Sequence, residues 1–146
     1  MRTILMLCLL CAVALAADPL KKTVNTNSDG LAIKGHDPVA YFTESKPVKG
    51  LKEFEHQHEG ATYQFASAAN RDLFKANPSK YLPQYGGYCA WAVSKGHTAG
   101  ISPNAWKIVD GRLFLNHPLA KGKFERGHAT AIPDADRNWP KILTGK

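Results

Sequence analysis

The stretch Trp106-Lys107-Ile108-Val109-Asp110-Gly111-Arg112-Leu113-Phe114-Leu115 sets the fold class. Two runs of strand-forming residues flank Asp-Gly, a pair that accepts the positive φ angles of a tight type I′ turn, so a hairpin is expected. Upstream, Phe54 to Phe65 alternates with period two around Glu59-Gly60. That pattern predicts a second hairpin with Phe54, His56 and His58 on one face. Between the hairpins the pattern turns helical. Ser67 is placed to cap a helix over Ala68 to Ala76, and Asn77-Pro78 opens a short one through Tyr81. Gly86-Gly87 breaks the chain before a helix expected from Tyr88 to Lys95, closed by Gly96.

Working outward to the ends, Leu31-Ala32-Ile33 suggests a brief strand, and Asp37-Pro38 reads as a cap plus first-turn proline leading into one helical turn over Val39 to Phe42. Beyond Asn116 the spacing predicts a helix to about Arg126, then another from Ile132 to Leu143 with Pro133 at its start and Trp139 as an anchor. Short helices and antiparallel hairpins interleave without regular βαβ spacing. The expected class is therefore α+β, in one small domain.

The chain has 146 residues with a formal net charge of +7, 44% apolar and 21% charged residues, and three cysteines. That size and balance fit one globular domain and exclude a large multidomain enzyme, a polytopic membrane protein and a disordered chain. Met1-Arg2 followed by the apolar run Ile4 to Leu15 is too short to span a bilayer and reads as a signal peptide over residues 1–16. Ala14 and Ala16 form an A-x-A cleavage pattern, which starts the mature chain at Ala17. Residues 17–30 read as a flexible polar leader and 31–146 as the domain. The expected location is periplasmic or secreted, with no transmembrane segment in the mature chain.

Cleavage removes Arg2, Cys8 and Cys11, leaving 130 residues, a charge of +6 and a single cysteine, Cys89. One cysteine in an exported protein makes no internal disulfide. It is a packed thiol, an intermolecular partner, or a reactive or metal-binding group. Its place near a helix start favours thiolate, whereas an apolar site would leave the thiol inert.

Several blocks in order resemble one family: Gly35-His36-Asp37-Pro38-Val39-Ala40-Tyr41-Phe42, Gly60 to Ser67, Asn77-Pro78-Ser79-Lys80-Tyr81 and Tyr85-Gly86-Gly87-Tyr88-Cys89-Ala90. They are similar to the YHS domain, in an exported branch. The resemblance implies the fold, and it implies metal handling, copper above all, through cysteines in D-P-V-C and F-C-S-x-x-C motifs. The matching positions here are Ala40, Ala66 and Asn70, so all three thiolates are absent.

The expected metal site is instead Cys89 with His97, His36 and Asp37, a mixed N/S/O set for copper or zinc if the Asp-Pro turn packs over the helix. The alternative is a non-catalytic structural or protein-interaction domain with a buried, inert Cys89. Partners in these two readings are a metal ion or an envelope protein. His56 and His58 form a second histidine pair, about 7 Å apart along one strand face. No hydrolase elbow, phosphate loop or H-E-x-x-H helix is present, so an enzyme is not expected. Positive charge is spread along the chain, and nucleic acid is not an expected partner.

Overall fold

The computed structural model describes residues 22–146; the expected signal peptide lies outside the described residues. Both hairpins form. Strand β1 (Leu51–His58) pairs antiparallel with β2 (Ala61–Phe65), with His56 opposite Tyr63 and His58 opposite Ala61. Strand β3 (Ser102–Val109) pairs antiparallel with β4 (Arg112–Asn116), with Trp106 opposite Leu115. The two turns are alike. Glu59 and Gly60 have φ of 48° and 81°, and Asp110 and Gly111 have 50° and 75°, the left-handed pairing that twisted strands need at a two-residue loop.

Five α-helices stand among the described residues: α1 (Ala40–Thr43) before the hairpins, α2 (Ala68–Ala76), α3 (Pro78–Tyr81) and α4 (Ala90–Ser94) between them, and α5 (Lys121–Thr144) after them. The architecture is α+β. Ser67 caps α2 as expected, its hydroxyl accepting the Asn70 N–H at 3.1 Å. One core gathers Tyr41, Tyr63, Phe65 and Phe74 with Leu113 and Leu115; the other gathers Phe114 and Phe124 with Val93, Ala131 and Ala135. Trp91 packs against both, so the cores are joined rather than separate.

Three expectations are corrected. The brief strand at Leu31 to Ile33 is two isolated bridges, Leu31 to Thr62 and Ala32 to Thr26, after which Ile33–Gly35 turns as a 3-10 helix with Ile33 and Lys34 at positive φ. The polar leader, over its described part, is tied into the domain. The Asn25 N–H donates to Gly86 O at 2.8 Å and the Tyr88 hydroxyl to Lys22 O at 3.0 Å, so these residues form a strap across the Tyr85 to Tyr88 loop. A Cβ at Gly86 would sit 1.9 Å from Thr23 O, which is why that position holds glycine.

Two helices were expected after Asn116, and one continuous α5 forms. Gly127 and Pro133 both lie inside it, because packing supplies what local propensity does not. Gly127 lets Trp91 approach, since a Cβ there would lie 3.3 Å from the indole. Trp139 anchors the far end against Tyr85 and Tyr88.

Candidate functional site

Asp37 is fully buried and stands where α1, the end of β2 and the start of α2 meet. Its Oδ1 accepts the backbone N–H groups of Val39 at 2.8 Å and Ala40 at 3.3 Å, the capping role expected of an Asp before Pro. Its Oδ2 accepts the Ala66 N–H at 2.9 Å and the Asn70 side-chain amide at 2.8 Å. Ala40, Ala66 and Asn70, the positions where the resemblance implies cysteines, therefore converge on one carboxylate. A buried carboxylate is costly unless its lone pairs are satisfied, and four donors satisfy this one.

Those neighbours do not fit a thiolate metal centre. Ala40 and Ala66 offer methyl groups and N–H donors, and both Asp37 oxygens already accept hydrogen bonds. A soft ion such as Cu(I) needs sulfur donors, and a hard cation needs free oxygen lone pairs.

Cys89 occupies a different place. It precedes α4, as the sequence suggested, but its side chain is 1% exposed and faces the end of β4. The thiol lies 3.7 Å from Asn116 Oδ1 and its sulfur accepts the His117 N–H at 3.3 Å. Asn116 Oδ1 also accepts the Trp91 N–H at 3.0 Å, so it caps α4 from another strand where Cys89 provides no side-chain cap. The His117 imidazole turns the other way, its Nδ1 accepting the Leu119 N–H.

The expected set of Cys89, His97, His36 and Asp37 is not brought together. His97 is exposed just past the end of α4. His36 has a buried Nδ1 with no hydrogen-bond partner, and Asp37 is saturated by amides. Among the described residues no three His, Cys, Asp or Glu side chains are grouped to hold a metal ion. The physical reason is that the Asp-Pro turn packs onto β2 and α2, while Cys89 packs against β4.

Asn116 and the Tyr85–Arg112–Asp136 cluster are not evident from the sequence, and Asn70 stands out there only as a position without cysteine. Tyr85 sits at φ 57° and its hydroxyl donates to Asp136 Oδ1 at 2.8 Å. Arg112 grips the same carboxylate through both terminal nitrogens and also donates to Gln84 Oε1. Hydrogen bonding from Arg112 holds the Asp136 carboxyl below its usual range. These contacts fasten α5 to the strained loop. No local pattern marks these contacts, because the partners lie between 24 and 51 residues apart in the chain.

His56 and His58 share one face, as expected, and both lean edge-on against Phe74 of α2 at ring distances of 6.1 and 5.7 Å. Burial holds His56 below its usual pKa, with further lowering from Lys75, His58 and Arg71. No helix among the described residues is long and apolar enough to cross a membrane.

No curated protein and no solved structure matches the chain. The stretch that holds Ala40, Ala66 and Asn70 does have a recognised likeness: residues 39–85 match the family model of the YHS domain.

Proposed function

We propose that this chain is an exported, non-catalytic YHS-type binding protein that acts by protein contact, its family's thiolate centre replaced by a hydrogen-bonded carboxylate. The convergence of Ala40, Ala66 and Asn70 on Asp37 carries this reading. Where thiolates would gather a soft metal, an Asp and its amide donors now hold three elements together. The scaffold is kept and the metal chemistry is lost. A copper or zinc site at Cys89 would need His97, His36 or Asp37 as co-ligands, and their placement supports no such set. Export rests on the apolar segment and A-x-A pattern at residues 1–16; mass spectrometry of the exported protein is expected to find Ala17 at its N-terminus.

The test is a titration with Cu(I) and Zn(II) under reducing conditions, read by melting temperature and stoichiometry. The natural chain is expected to show no metal-dependent rise in Tm, because a ligand that binds only the native state would stabilise it. The variant carrying Ala40→Cys, Ala66→Cys and Asn70→Cys is expected to gain one. One-to-one binding by the natural chain that disappears in Cys89→Ala would overturn the proposal.

A further inference from the structure

A second feature lies on the α2 side of the first hairpin, apart from Asp37. Phe54, His56 and His58 alternate along β1 and are each half-buried, so this face of the strand lies towards α2. Helix α2 sets Arg71, Phe74 and Lys75 against them. The Arg71 guanidinium lies 5.9 Å over the Phe54 ring, and both imidazoles rest edge-on against Phe74. Lys75 follows Phe74 and is exposed. Two permanent cations and two titratable rings thus share one aromatic-backed face.

The acids nearby do not balance them. Asp72 lies 3.5 Å from Arg71 Nε, and Glu59 lies 3.9 Å from His58 Nε2. Glu55 accepts a hydrogen bond from Gln64 and alternates to the opposite face of β1. Tyr63, opposite His56 on β2, brings no charge at neutral pH. Among the described residues, His56 and Lys75 have no counter-ion within salt-bridge distance. The Arg71 Nε–H is moreover buried with no hydrogen-bond acceptor, despite Asp72 nearby. Native proteins leave few such donors, and the Arg71 side chain as a whole keeps 30% of its surface exposed.

We propose that His56, His58, Arg71 and Lys75 form a binding site for an oxyanion, a carboxylate or phosphate group. Guanidinium and ammonium suit both, and the imidazoles add donors as they protonate. The pKa of His56, lowered first by burial, is lowered further by the neighbouring Lys75, His58 and Arg71. An anion seated there favours the charged ring, so binding and proton uptake reinforce one another. The inference is independent of whether Asp37 or Cys89 holds metal.

Inorganic phosphate and acetate are titrated separately into the purified chain at constant ionic strength, made up with sodium chloride, while the ring signals of the six histidines are followed by NMR. Saturable shifts are expected at His56 and His58, with the His56 titration midpoint moving upward. Saturation by phosphate alone assigns the site to a dianion, and saturation by both assigns it to oxyanions generally. Lys75→Gln changes an exposed side chain and is expected to weaken binding about fivefold, the size of one surface charge contact. Parallel, unsaturable shifts in all six histidines, or an affinity unchanged in both Lys75→Gln and Arg71→Gln, would overturn the site.

Discussion

Asp37 accepts four hydrogen bonds from three elements, and no other buried side chain described here links as many. Replacing it by alanine strands the N–H groups of Val39, Ala40 and Ala66 and the Asn70 amide away from water. Each orphaned donor costs about 1–3 kcal/mol, and not all relax independently, so Asp37→Ala is expected to lose about 3–5 kcal/mol in urea denaturation. Asn70→Ala removes one donor and leaves the carboxylate three, so about 1 kcal/mol is expected. Equal losses for the two variants would show that the carboxylate is not the hub. Of this arrangement, the sequence made legible only the cap over Val39 and Ala40, because a cap is local. The bonds to Ala66 and Asn70 span 29 and 33 residues and depend on how the turn packs.

At the scale of elements, residues that act on their own neighbours were readable. Asp110-Gly111 and Glu59-Gly60 place two left-handed residues in each turn, and Ser67 caps the helix that it precedes. Elements defined by distant partners were not. Helix α4 starts at Ala90 because Asn116, 25 residues from Trp91, accepts the Trp91 N–H, and α5 runs on past Pro133 because its buried face is anchored at Phe124, Ala131 and Ala135. Asn116→Ala removes this cap and is expected to cost about 1–2 kcal/mol. It also unseats Cys89. In the natural chain, labelling of Cys89 by iodoacetamide is expected to proceed only at the rate of unfolding, and in Asn116→Ala to become faster. Rapid labelling of the natural chain under native conditions would contradict the packed thiol.

The whole molecule carries opposing pH sensitivities. His56 lies below its ordinary 6.5, so it contributes stability above that pH that is lost as the pH falls towards its folded value. Asp136, held below 3.8 chiefly by Arg112, adds stability lost at still lower pH, though its partial exposure keeps the contribution small. At the other end, burial raises Tyr41, Tyr63 and Tyr85 well above 10.0. Their contribution is complete below pH 10.0 and is lost as the pH rises beyond it, since the unfolded chain ionises first. Urea midpoints measured against pH are expected to fall on both sides of a neutral plateau, and His56→Gln to flatten the first step of the acid limb. A midpoint that stays constant as the pH is raised through about 11 would contradict buried, neutral tyrosines.

The strap at Lys22 to Asn25 also bears on the order of assembly. Its partners are Gly86, Gly87 and Tyr88, roughly sixty residues later, and it lines one groove with Trp139 and Leu143 near the other end of the chain. The strap precedes its docking surface in the chain. The strap thus settles only once residues 86–88 are in place, and closing this loop costs entropy that local hairpins do not incur. The strap is therefore a latch, closing over a loop that lies roughly sixty residues after it in the chain.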